Sequence, residues 1–206
     1  MLRNKKWFNN IIYKIKNVAD ELELVESVTS AMRATTQKLS EARCHEPFSK
    51  LQQPDVLKMI DFGSVVPEAN IRINFVQIIG NIGALSILPE ANSTISQNSN
   101  LFAKFLMDAA SKDTDIRVVS EALDKIFDMF SEDYTDELCT RINLVSQLKK
   151  IVPTLKIKIG LIKKGKRQEV EQNMLPVVDI AKTNLIRFIK YKEQRPKLPN
   201  GHSNVA

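Results

Sequence analysis

The chain has 206 residues, 43% of them apolar, with 6 Gly, 8 Pro, 2 Cys and a net charge of +6. That length suggests one large domain or two small ones, and so few Gly and Pro disfavour an all-β protein with its many turns. Cys44 and Cys139 make neither a disulfide framework nor a zinc motif, and no apolar run reaches the roughly 20 residues needed to span a bilayer.

Hydrophobic periodicity is helical nearly throughout. Met1 to Ala19 lacks acids, carries Arg3, Lys5, Lys6, Lys14 and Lys16, and puts Trp7, Phe8, Ile11, Ile12, Ile15 and Val18 on one face. A mitochondrial presequence has that pattern, but such leaders are rich in Arg and Ser. With one Arg and no Ser before Ser27, a packing helix is the preferred reading. The first helical segment runs from about Lys6 to Cys44, with a break inside it, and ends at Glu46-Pro47. A short helix follows near Pro54 to Phe62, with Gly63 as its stop and Pro67 beyond.

Ile71 to Leu88 is apolar nearly all round, so it belongs between neighbours. Its β-branched residues would permit a strand, but its length favours a helix. Gly80 and Gly83 then allow another helix to come close. Pro89 stops it, and Asn92 to Asn100 reads as a polar loop. Leu101, Phe102, Phe105, Leu106 and Ala109 form the apolar face of the next helix. Asp113 or Asp115 suits the cap of the one after, which aligns Ile116, Val119, Leu123, Ile126, Phe127 and Phe130. The residues expected in the core are Val76, Ile79, Ile82, Leu123, Phe127, Leu185 and Phe188.

A third pair begins near Asp136, with Leu138, Ile142, Val145, Leu148 and Leu155 inward. Pro153 is expected to kink or end its helix, and Lys156 to Ile159 to be the helix end. A basic loop spans Lys163 to Gln168. The last helix starts near Pro176 and buries Leu175, Val178, Leu185, Phe188 and Ile189. Pro196 and Pro199 bound a tail, 196–206, expected to be disordered.

Charge is uneven along this half. From Asp108 to Glu137 there are ten acids against Lys112, Arg117 and Lys125; from Lys149 to Lys197 there are fourteen bases against four acids. Glu121, Asp124 and Asp128 recur at i, i+3 and i+7 as an acidic stripe. It is either a partner-binding surface or a solvated face relieved by Arg117 and Lys125, each four residues from Glu121. Asp124 and Asp128 have less local relief. Lys163, Lys164, Lys166 and Arg167 read as a nuclear-localisation or nucleic-acid patch, or as a solvated loop.

Catalysis has little support. His45 and His202 are the only histidines. Cys44-His45 is no dyad, because adjacent residues do not face each other on a helix and no third group orients them. No phosphate loop, metal-ligand spacing or cofactor motif occurs.

Ile71-Arg72-Ile73 and Ile116-Arg117-Val118 open successive units 45 residues apart, after which Ile78 matches Leu123, Ile82 matches Phe127 and Leu85 matches Phe130. HEAT units repeat at about 40–47 residues as helical pairs. The fold expected is therefore all-α: an α-solenoid of stacked antiparallel HEAT-type pairs, one body over 1–195. In HEAT units a turn carboxylate and an Arg often form a ladder between neighbours. Asp113 or Asp115 with Arg117 would serve, and Glu68 with Arg72 is a weaker match.

Four passages carry a more specific resemblance: Phe105 to Asp113, Ser120 to Asp128, Leu148 through Pro153 to Lys158, and Asn184 to Tyr191. In this order they resemble the C-terminal part of the symportin family of HEAT-repeat ribosomal-protein import chaperones, over about half the chain. The resemblance implies an α-solenoid that carries two large-subunit ribosomal proteins, both binders of 5S ribosomal RNA, from cytoplasm to nucleus with an import receptor. Family members are much longer. Their armadillo repeats, N-terminal receptor signal and acidic insertion have no counterpart here, so a C-terminal fragment, truncated isoform or partial gene model is expected. The function expected is protein binding, with no membrane role. The alternative is an RNA-binding helical repeat using the basic segment, where Tyr191 is the one aromatic expected to be exposed for base stacking.

Overall fold

The computed structural model describes residues 22–91, 93–165 and 172–195, and every regular element among them is a helix. Helix α1 is Leu22–Glu41, α2 Gln53–Val65, α3 Ala69–Ser86, α4 Ser93–Ser96, α5 Ser99–Lys112, α6 Ile116–Phe130, α7 Asp136–Arg141, α8 Leu144–Lys163 and α9 Leu175–Gln194. Short 3-10 turns, Glu46–Phe48 and Asp133–Thr135, precede α2 and α7. The expected N-terminal helix or leader, Lys166, Arg167 and the tail from Pro196 lie outside the described residues.

The helices stack in two layers. One holds α1, α3, α6 and α9 side by side; the other holds α2, α5 and α8, each packed against its successor in the first layer. Ion pairs Lys149–Glu193 and Lys163–Asp179 fix α8 and α9 as antiparallel. This is the stacked-pair architecture of a helical-repeat solenoid, in which each unit contacts only its neighbours.

Helix α3 is apolar on nearly every side because it packs against α1, α2, α5 and α6 at once. Ile71, Phe75, Ile78, Ile79 and Ile82 are fully buried. Its glycines are contact surfaces. A Cβ on Gly80 would lie 2.7 Å from the Lys125 stem, and one on Gly83 3.2 Å from Phe102 and Met129. Of the expected core, Val76, Ile79, Ile82, Leu123 and Leu185 are buried. Phe127 and Phe188 are only half-buried; their rings pair across the α6–α9 seam with centroids 5.1 Å apart.

The repeat period of 45 residues also reaches back to α1. Asn74 donates to the Thr29 hydroxyl at 3.1 Å and Asn81 to the Thr36 hydroxyl at 3.3 Å, each pair 45 residues apart and buried. Helix α1 is thus the second helix of an earlier unit. Arg72 forms a ladder rung, but with Asp113 of the next unit rather than with Glu68. Its Nε and Nη2 donate to Asp113 Oδ2 and Oδ1 at 2.8 and 3.1 Å. Its Nη1 donates to the carbonyls of Val66 and Pro67. Glu68 Oε2 is buried without a hydrogen bond.

Several expected boundaries move. Helix α1 stops before Glu46-Pro47, because Arg43 turns left-handed (φ 52°) while Cys44 N–H bonds Leu39 and Arg43 N–H bonds Ser40. That is a Schellman ending with Arg where Gly is usual. Gly63 is no stop: it lies inside α2, where a Cβ would come within 2.9 Å of Phe75. The helix ends at Val65, and Val66 is extended (ψ 128°) as the residue before Pro67 must be. The polar stretch before Asn100 is largely helical, anchored by buried Ile95 and by Asn98, whose amide donates to the Leu51 and Thr94 carbonyls. Pro153 does not end α8, and Lys156 to Ile159 lie mid-helix. Pro153 lies on the exposed face, so its ring does not disturb the packed side, while Ile151, Leu155, Ile159 and Ile162 hold the other face in the core.

Candidate partner-binding surface

Asp115 caps α6, its Oδ1 accepting from the Arg117 backbone N–H at 2.8 Å. Burial pushes the Asp115 carboxyl up. Hydrogen bonds from Arg117 and the charges of Arg117 and Arg72 outweigh that and hold it below the usual carboxylate range. The cap also fixes the helical phase. Leu123, Ile126 and Phe130 turn inward, while Asp124 and Asp128 are exposed and Glu121 is half-buried. The three predicted acids therefore form one ridge along α6.

Their relief differs from expectation. Arg117 turns to Asp115, at 2.7 Å, and to Asn70 on α3, at 3.2 Å. Lys125 lies with its stem over Gly80 and its ammonium 3.0 Å from Asp128. Asp128 is therefore locally paired, where less relief than at Glu121 was expected. Asp124 makes no ion pair among the described residues. Partial burial, and then the charges of Glu121 and Asp128, push its carboxyl above the usual range against the pull of Lys125. The half-exposed rings of Phe127 and Phe188 lie in the adjoining seam.

The basic patch is divided. Lys163 lies 3.2 Å from Asp179, which Lys182 also holds at 2.7 Å. The Lys182 and Lys163 hydrogen bonds keep that carboxyl below the usual range. Lys164 is exposed, and Lys166 and Arg167 lie outside the described residues. Tyr191 is exposed as expected, but the Arg195 guanidinium covers its ring at 4.6 Å.

A cluster that sequence reading misses ties the last turn of α9 to the α7 connection. Lys192, buried to 9% exposure, holds Asp136 at 2.9 Å, and Arg195 reaches Asp136 at 3.0 Å together with Asp133 and Tyr191. Burial raises the Asp136 carboxyl, but Lys192 and Arg195 outweigh it and bring it below the usual range. Its members are nearly sixty residues apart in the chain, so no local pattern announces it.

The described residues bring together no catalytic arrangement. Burial pushes the Cys139 thiol up, the wrong direction for a nucleophile. Among the described residues no group of His, Cys, Asp and Glu could hold a metal ion, and no helix is long and apolar enough to cross a membrane.

Comparison with known proteins places this geometry. Residues 5–196 match the family described as "SYO1-like, TPR repeats". The chain is 30% identical over 187 residues to HEAT repeat-containing protein 3 of Homo sapiens, and 28% identical over 186 residues to the protein of that name in Mus musculus. Each alignment covers 90% of this chain and 26% of the relative, so the chain spans about a quarter of the length of the curated relatives it matches. No solved structure matches it.

Proposed function

This chain belongs to the SYO1-like, or symportin, family of helical-repeat proteins, and on that premise we propose that it binds and shields basic ribosomal proteins. The partners are the large-subunit proteins that associate with 5S ribosomal RNA. The setting is their passage from cytoplasm to nucleus, with an import receptor engaging the carrier.

One observation carries the proposal: an exposed carboxylate, Asp124, stands between two others and makes no ion pair of its own among the described residues. Ribosomal proteins are strongly basic because they sit on phosphate, and off the ribosome that charge needs shielding. An acidic ridge supplies the shield and steers the encounter. Each exposed contact is worth only about 0.2–1 kcal/mol, so single changes are small. The test is therefore Asp124→Lys with Asp128→Lys, checked for folding by circular dichroism and thermal melting. Weaker binding of the 5S-associated ribosomal proteins to the double variant is expected. Unchanged affinity would reduce the ridge to a solvated helix face. Tight, salt-sensitive binding of 5S ribosomal RNA itself, lost on neutralising Lys163, Lys164, Lys166 and Arg167, would instead favour RNA recognition.

A further inference from the structure

Val177, Ile180, Asn184, Phe188 and Tyr191 recur on α9 at i, i+3, i+7, i+11 and i+14, one face of the helix. Four of the five are aliphatic or aromatic, yet the face is not packed away. Ile180 is 60% exposed, and Val177 and Tyr191 are each 45% exposed. Phe188 says where the face lies: its ring meets Phe127 of α6 across the seam, so the row borders α6. On α6 the surface continues from Phe127 to Asp124, one turn earlier, and then to Glu121 and Asp128. An exposed apolar strip, a floor of two half-buried rings and an acidic ridge therefore lie side by side. Exposed Arg187 marks the far edge of the strip.

An exposed apolar patch rimmed by charge is the mark of an interaction site. This one also selects the conformation of what covers it. The side chains of Val177, Ile180, Phe127 and Phe188 offer no hydrogen-bond donor or acceptor. A strand laid over them would leave backbone N–H and C=O groups unpaired on an apolar floor. A helix bonds its own backbone internally. It also seats in the groove between two neighbouring helices, with anchors at i, i+3, i+4 and i+7. From Val177 to Tyr191 the row is about 21 Å long, room for about four turns of such an anchor stripe. Charge fixes one flank. There Lys125 holds Asp128, and Asp124 makes no ion pair among the described residues. A lysine or arginine on that flank is attracted, and a carboxylate is repelled.

We propose that the α6–α9 groove binds an amphipathic helix of a partner protein, its apolar side on Phe127, Phe188, Val177 and Ile180 and its basic flank along α6. This rests on the reading that the acidic ridge meets basic partners, and it names the form in which they present their charge. Two synthetic peptides of about eighteen residues, with the same content of leucine, lysine and alanine, test it on the full chain. One places leucine along a single helical face; the other has the same residues reordered so that no such face forms. In fluorescence-anisotropy titrations at high salt, the amphipathic peptide should bind about tenfold or more tighter than its isomer. Val177→Ser with Ile180→Ser, both at exposed positions, should erase that preference and leave the melting temperature unchanged. Equal affinity of the two peptides for the parent overturns the groove and leaves the role of the ridge intact. So does a preference that survives Val177→Ser with Ile180→Ser. Failure of both peptides to bind also overturns the groove; titration of a 5S-associated ribosomal protein on the same sample then decides the ridge separately.

Discussion

Arg72 joins three segments through one guanidinium: the Val66–Pro67 turn, its own helix α3 and Asp113 of the following unit. Both partners of the rung are largely buried, at 13% and 11% side-chain exposure. Removing one leaves the other charged and unpaired, which is costly in a low-dielectric site. Arg72→Ala should therefore lower unfolding stability by about 3 kcal/mol in urea titration. A loss below about 1 kcal/mol would mean the rung is ornamental. The carboxyls divide by sign. Asp115 and Asp136 have lowered folded values, so they stabilise the fold above the ordinary carboxylate range near 4. That stabilisation fades as pH falls below about 4 toward the folded values, and acid melts should show the loss there. Asp124 has a raised folded value, so ionising it works against folding at neutral pH. Asp124→Asn should melt no lower than the parent while binding basic partners less well. A clear drop in melting temperature would reassign Asp124 to structure. The stripe itself was readable from i, i+3, i+7 spacing. Which acid was paired was not, because Lys125 and Arg117 take their positions from contacts with α3.

Helix α3 shows what a helix must give up to sit at the centre of a stack. Its Gly80 lets Lys125 cross its surface, and Gly83 admits Phe102 and Met129. Gly80→Leu should cost about 1–3 kcal/mol through overpacking and should also displace Lys125 from Asp128. Chemical denaturation measures the first effect, and the Lys125–Asp128 separation in a crystal structure of the variant measures the second. An unchanged separation would mean the lysine's position does not depend on that glycine. At the α6–α9 seam the half-buried Phe127 makes a different demand. Its truncation to Ala should cost about 2 kcal/mol, below the roughly 3–5 kcal/mol of a fully buried Phe. Periodicity put Phe127 on the apolar stripe correctly. It could not show that the stripe's edge meets solvent beside α9. Element ends were less legible for similar reasons. Gly63 and Pro153 signal stops by local chemistry, but tertiary contacts carry the helix through both. Arg43 ends α1 with no sequence signal at all.

At the scale of the whole molecule, the 45-residue period was visible in Ile71-Arg72-Ile73 and Ile116-Arg117-Val118, and it correctly implied stacked helical pairs. Its extension to α1 was hidden, because there the matched positions are Thr29 and Thr36, polar residues that meet Asn74 and Asn81 rather than an apolar stripe. The clamp of Lys192 and Arg195 on Asp133 and Asp136 was hidden by chain distance. The same architecture sets the acidic ridge on α6 and the basic block on α8 and α9. On the basic side, pairing with Asp179 and Glu193 quenches part of the field. On the acidic side Lys125 pairs with Asp128, and Asp124 makes no ion pair among the described residues. The function proposed for the chain rests on that imbalance. It is tested most directly by the association rate of a basic, 5S-associated ribosomal protein, measured by stopped-flow fluorescence at low and high salt. The parent should associate fast at low salt and slow steeply as salt screens the ridge. Asp124→Lys with Asp128→Lys should associate slowly at both. Equal association rates for parent and double variant at low salt would contradict the account.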